Sequence, residues 1–244
     1  MSTDAALALK DVSWFYGRGN LRKQVLYDVD AVIQPGEITI LTGPSGAGKT
    51  TLLQLIGALR RPQAGSIRVL GRELADAEEG ELLAVRRRIG FLFRRHNLVE
   101  SLTVAGNVRM AMALCQETPR KAWEARLNEV LQQVGLAGLQ RKRPAQLSAG
   151  QRQRTGIARA LVNHPKLILA DDPTANLDQE SGHQLAALLQ RLAKEECAAA
   201  VIVSSDHRIL DIADRILHLE DGRVRPLADA VAHNTSRMLN ILAR

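Results

Sequence analysis

The chain has 244 residues, 45% apolar and 24% charged, the balance of a globular protein with room for one α/β domain and an inserted subdomain. Aromatic residues make up only 3%, so the core rests on Leu, Ile, Val and Ala, and a single-strand nucleic-acid reader built on stacking platforms is excluded. The formal net charge of +7 gathers in clusters at Arg60 and Arg61, Arg86 to Arg88, Arg94 and Arg95, and Arg141 to Arg143. It suits an anionic ligand, an anionic surface or a plain solvated face.

No apolar run approaches the roughly 20 residues of a membrane span, and the N-terminus lacks a secretory-signal pattern. Any membrane work therefore calls for a partner chain. Cys115 and Cys197 lack metal-ligand spacing and read as buried or partly buried free thiols in a reducing compartment.

In chain order, residues 7–14 and 25–33 read as strands, with a turn at 17–20 between them. Residues 37–41 form a short β-rich run, followed at once by a glycine-rich loop and a helical pattern over 49–59. Strands are predicted at 66–70 and 89–93, around an exposed helix at 79–87. Helical patterns at 102–114 and 121–134 mark a helical subdomain from 95 to 149. A helix at 150–162, a strand at 167–170, a helix at 179–194 and a strand at 199–203 complete the alternation. A short helix near 209–213 follows. Strands at 215–219 and 223–225 then flank Asp221-Gly222, a hairpin signal.

This order predicts an α/β fold: a core with a mainly parallel sheet and helices on its faces, an N-terminal β subdomain and an inserted helical subdomain. The core and β subdomain span 1–94 and 150–225, the helical subdomain 95–149, and a tail 226–244 reads as a short amphipathic helix or a frayed terminus.

Gly43-Pro44-Ser45-Gly46-Ala47-Gly48-Lys49-Thr50 matches the phosphate-binding pattern G-x-x-x-x-G-K-[ST] in full, between a strand and a helix. Its glycines let backbone N–H groups wrap phosphate oxygens at the positive end of the helix. Lys49 supplies a cation for the terminal phosphates, Thr51 extends the binding set, and the Thr50 hydroxyl suits Mg²⁺. The expected ligand is ATP with Mg²⁺.

The apolar stretch 167–170 ends in Asp171 and Asp172. Asp171, expected on the strand beside the P-loop strand, is the second metal residue, holding Mg²⁺ through water. Asp172 is placed to orient or activate an attacking water. Ser148-Ala149-Gly150-Gln151 opens a helix, where it reads either as a second anion site or as a Ser N-cap.

Taken together, Gly43 to Thr50, Leu147 to Gln151 and Leu169 to Asp178 resemble the ATPase subunit of an ABC transporter over nearly the whole chain. Residues 19–26 and 206–222 resemble the DevA-type exporters, relatives of the lipoprotein-release and macrolide-export ATPases. The resemblance implies a P-loop NTPase (RecA-like) core with a mainly parallel sheet, an N-terminal antiparallel β subdomain and an inserted helical subdomain. It also implies a head-to-tail dimer, homomeric or heteromeric, with each ATP between one P-loop and the other chain's Ser148 segment. It places Tyr16 against adenine and Asp178 in a loop crossing the dimer interface. It also implies a membrane permease partner with a periplasmic adaptor, a peripheral location on the inner face of the plasma membrane, and no nucleic-acid partner.

Four positions depart from that family's pattern. Arg94 replaces a glutamine whose carbonyl faces metal and water; it can touch phosphate but has no acceptor to offer. Ala149 replaces a glycine, and Asp172 stands for a glutamate, one methylene shorter. A displacement of that size costs on the order of 100-fold in rate. Ser205 stands where the switch histidine belongs, and His207 lies two residues on. The expectation is retained ATP binding with slow hydrolysis. The alternative is a non-hydrolytic subunit that pairs with an intact paralogue.

Overall fold

The structure, a computed structural model, describes residues 5–94, 96–115, 119–175 and 177–228. Its main sheet has six strands in the order β10-β9-β3-β8-β7-β6. These are β3 (Ile38–Thr42), β6 (Ile89–Leu92), β7 (Leu167–Asp171), β8 (Ala199–Val203), β9 (Arg215–Glu220) and β10 (Arg223–Pro226). Neighbours pair in parallel except at the β9–β10 hairpin. The hairpin turn takes Asp221 at φ 47° and Gly222 at φ 71°, the left-handed pair that a two-residue turn requires.

The central strands read as unbroken apolar runs because both faces of the sheet are buried. On β7, Ile168 and Ala170 face one core cluster, and Leu167 and Leu169 face the other. On β8, Ala200 and Ile202 face the first cluster, and Ala199, Val201 and Val203 face the second. The period of two in a strand sorts adjacent residues to opposite sides.

The second core is closed by an antiparallel sheet ordered β2-β1-β4-β5. It holds β1 (Leu7–Tyr16), β2 (Lys23–Ile33), β4 (Ala64–Val69) and β5 (Arg72–Glu73). β5 has only two residues, too few to show a period. Between the sheets lie α1 (Lys49–Ile56) and α2 (Glu79–Arg87), with Leu52, Leu53, Leu55 and Ile56 of α1 buried. α1 stops at Ile56, shorter than its apolar pattern, because the chain turns at Gly57, where a Cβ would stand 2.3 Å from the Phe91 ring. α2 is only partly exposed, since Leu82 and Val85 are buried.

The first core is covered by α3 (Val104–Leu114), α4 (Trp123–Gln133), α5 (Ala149–Leu161) and α6 (Gln179–Glu195). α3 begins at Val104 rather than at 102, because Thr103 accepts the Gly106 N–H as its N-cap. α4 starts at Trp123 after a single 3-10 turn, Arg120–Ala122. The short helix expected at 209–213 is a 3-10 segment, His207–Ile212.

Two buried polar side chains fix the ends of these helices. Asn107, fully buried on α3, exchanges hydrogen bonds with the N–H and carbonyl of Val99 and so pins the loop before the helix. Arg126, buried on α4, donates to the carbonyls of Leu161 and Val162 at the end of α5 and to Glu196 just past α6. Cys115 is buried as expected. Cys197 is exposed, because it sits at φ 49° in the turn that leaves α6. Most of the expected tail lies outside the described residues, as do Arg95 and Asn176. Among the described residues, no helix is long and apolar enough to cross a membrane.

Candidate functional site

β3 delivers the chain into the glycine loop, and α1 begins at Lys49 directly after Gly48. The loop's shape depends on particular glycines. Gly43 has φ 139°, and a Cβ there would stand 2.0 Å from the Leu219 carbonyl oxygen. Gly48 has φ 104° and rests on the Val25 and Leu26 side chains. Lys49 Nζ donates to the carbonyls of Gly43 (2.7 Å) and Pro44 (2.8 Å), which holds the ammonium over the loop. Burial pulls its pKa down; Asp172 and Asp171 push it back up, and Arg94 lowers it.

A cleft of about 440 Å³ opens beside this loop. Its walls bring together Tyr16, Ser45, Gly46, Gly48, Lys49, Thr50, Thr51, Arg94, Asp171, Asp172 and Ser205. A second cleft, of about 620 Å³, shares Tyr16, Ser45 and Gly46 with it and adds Pro44 and Ala47. Most of the predicted residues thus meet; Gly43 lies at the start of the loop outside both linings, and Ser148, Ala149, Gly150 and Gln151 line neither cleft. They form a capping box instead, in which Ser148 Oγ accepts from Gln151 N–H and Gln151 Oε1 accepts from Ser148 N–H.

The carboxylates approach from β7. One expectation is corrected here: β7 is not the neighbour of β3, because β8 lies between them. Asp171 still reaches the loop, because α1 carries Thr50 across that gap. Thr50 Oγ1 lies 3.2 and 3.3 Å from the two carboxylate oxygens of Asp171. Burial raises the pKa of Asp171; Thr50, Arg94 and Lys49 pull it down, while Asp172 raises it. The two hard oxygen donors suit Mg²⁺, which takes few protein ligands and keeps water and phosphate as the rest of its shell.

Asp172 turns the chain at φ 49°, with its N–H bound to the Val203 carbonyl at 2.8 Å. Its side chain is 10% exposed; Oδ2 lies 3.4 Å from Arg94 Nη2, and Oδ1 is buried with no hydrogen-bond partner among the described residues. Ser205, by contrast, is exposed at the cleft wall. His207 begins the 3-10 segment, but its side chain lies outside the described set, so the expectation attached to it does too.

Tyr16 is held in place by three contacts. Its hydroxyl meets Thr51 Oγ1 at 3.0 Å, its ring stands edge-on to Trp14, and the Arg60 guanidinium lies 5.4 Å from its centroid. The Thr51 and Arg60 contacts and the walls at Val25 and Val203 escaped the sequence reading. Thr51 itself was expected in the binding set, but its contact with Tyr16, like that of Arg60, joins residues remote in sequence and exists only in the folded chain.

A family model described as ABC transporter matches residues 26–175, well over half of the chain. The chain belongs to the ABC transporter family. The lipoprotein-releasing system ATP-binding protein LolD of Bordetella pertussis is 40% identical over 225 residues, covering 92% of this chain and 97% of LolD. The macrolide export ATP-binding/permease protein MacB 1/2 of Paracoccus denitrificans is 42% identical over 219 residues. That match covers 89% of this chain but only 32% of MacB, so the chain spans about a third of that relative. Among solved structures, a dimeric post-hydrolysis ATP-binding cassette bound to ADP and Pi superposes with a TM-score of 0.82 at 35% identity, covering 91% of this chain and 98% of that one.

Proposed function

We propose that this ABC family member is the ATP-binding subunit of an export-type transporter, acting on a separate membrane permease and hydrolysing ATP slowly. The carrying observation is the contrast within one cleft. Lys49, Thr50 and Asp171 share its lining with the glycine loop, and Thr50 Oγ1 lies 3.2 Å from Asp171, an arrangement that supports ATP binding. The shortened carboxylate of Asp172, however, is engaged by Arg94, and Ser205 brings no imidazole to the wall. The kinship with LolD and MacB supports the export reading.

Thr50 and Asp171 would hold Mg²⁺, whose role there is to neutralise and orient the terminal phosphates. Lys49 binds the same phosphates, and Tyr16 offers its ring to adenine. Asp172 is the residue left to accept a proton from water. The capping box at Ser148 keeps the start of α5 ordered, and its position away from both clefts fits a role across a head-to-tail dimer. Val99, Met110 and Leu114 leave apolar surface exposed around α3, the face proposed for the permease. In this reading residues 95–149 form a helical subdomain on a core of 1–94 and 150–225. A periplasmic adaptor beyond the permease and a place for this chain on the inner face of the plasma membrane belong to the same proposal.

The test is co-purification followed by steady-state turnover. A membrane permease is expected to co-purify; its absence overturns the transporter assignment. Turnover equal to that of a relative with intact glutamate and histidine overturns slow hydrolysis. Asp172→Glu with Ser205→His is expected to raise turnover, and no rise removes those two sites as the limiting defect. The ion pair at Asp172 also favours a second reading, a non-hydrolytic subunit paired with an intact paralogue. That reading predicts turnover from the mixed dimer and none from the homodimer.

A further inference from the structure

Among the described residues, four side chains of fixed formal charge face the phosphate cleft: Lys49, Arg94, Asp171 and Asp172. Their charges balance. A neutral glutamine at position 94 would leave the same cleft one negative charge in excess. An acidic cleft repels a nucleotide triphosphate until a divalent cation intervenes, whereas a balanced cleft with mobile cations does not.

Arg94 is built to be one of those cations. Its side chain lines the cleft and is 64% exposed, with Nη2 at 3.4 Å from Asp172 Oδ2. A guanidinium carries five donors in a fork and matches phosphate oxygens in pairs. Asp172 anchors it: the carboxylate is nine-tenths buried, and Oδ1 has no hydrogen-bond partner among the described residues. Lys49 and Arg94 both line this cleft, so a phosphate bound there lies within the field of two cations.

We propose that Arg94 is a direct ligand of the nucleotide's terminal phosphates and that it lets this site hold ATP without a divalent metal. The proposal rests on reading this cleft as an ATP site, but it concerns binding and not turnover. Asp172 aims the guanidinium, and Lys49 completes a two-cation clamp. Thr50 and Asp171 remain able to take Mg²⁺ when it is present, so the metal strengthens binding without being required.

The test measures ATP affinity by calorimetry on the full chain, with excess Mg²⁺ or with EDTA, for the native protein, Arg94→Gln and Arg94→Lys. Because Arg94 is largely exposed, neither change removes a core contact; a melting curve of each variant checks this. In EDTA the native protein is expected to lose less than about 10-fold in affinity, and Arg94→Gln about 100-fold or more. With Mg²⁺ present, the two should agree within about 5-fold. Arg94→Lys, which keeps the charge but not the fork, should fall between them. If EDTA weakens the native protein and Arg94→Gln equally, Arg94 is not a phosphate ligand. Failure of the native protein to bind ATP even with Mg²⁺ would instead overturn the reading of the cleft itself.

Discussion

Replacing Arg126 with Met removes a cation that joins three helices while leaving a side chain of similar length. Arg126 is 6% exposed. Its guanidinium donates to Val162 O (3.0 Å), Leu161 O (2.9 Å) and Glu196 Oε1 (3.0 Å), and pairs with Glu129 at 3.1 Å. Breaking a buried ion pair by deleting one partner costs about 3–5 kcal/mol. Two features favour the low end. The Leu161 carbonyl keeps the His164 N–H, and Glu196 keeps His164 Nδ1 at 2.8 Å. The expected loss is therefore about 3 kcal/mol. For a chain of this size that lowers Tm by about 6–12 °C. Urea and thermal unfolding followed by circular dichroism would measure it. Arg126→Met with Glu196→Gln should recover at least about 1 kcal/mol, because the orphaned carboxylate is then gone. A single-variant loss below about 1 kcal/mol, or no recovery in the double variant, would refute the view that this cation joins the helices.

Gly43→Ala should cost at least about 10-fold in ATP affinity and lower Tm, because its Cβ collides with the Leu219 carbonyl. Gly46→Ala meets nothing within 4 Å and should cost only the left-handed strain of about 1–2 kcal/mol, so equal effects from the two would count against the steric account. Glu73 is pushed up by burial, but its hydrogen bonds from Ser66, Ala75, Ile67 and Leu74 win, and its pKa lies below the ordinary 4.5. A depressed carboxylate contributes stability that is present above the unfolded pKa and lost as pH falls through the folded one. Glu73→Gln should therefore be less stable than the native chain at pH 7, with the gap closing below about pH 4 in acid titrations. Tyr16→Ala should weaken ATP binding by about 10-fold, the scale of one lost base-stacking contact, while Tyr16→Phe stays near native in titrations with a fluorescent ATP analogue.

How much was legible differs from place to place, for physical reasons. The phosphate loop was readable because a backbone cradle needs glycines at fixed spacing, and Gly43 and Gly48 indeed adopt positive φ against neighbouring atoms. The main strands were readable because two-sided burial demands continuous apolar runs, as at 167–170 and 199–203. β5 was not, since two residues carry no period. The place of β7 in the sheet was missed because chain order does not state which strand intervenes, and β8, later in sequence, pairs between β3 and β7.

By itself the sequence determined the kind of ligand: a loop of this spacing has one shape, and that shape wraps phosphate. It also determined which groups differ from the family's pattern, at Arg94, Ala149, Asp172 and Ser205. Only the tertiary structure decided how those groups stand toward one another. The pairing of Arg94 with Asp172 joins residues far apart in sequence, and it depends on β6 and β7 lying side by side. The separation of Ser148 from both clefts is likewise a matter of where α5 packs. Local spacing encodes backbone shape and residue chemistry, whereas distances between remote side chains exist only once the sheet order and the helix packing are set.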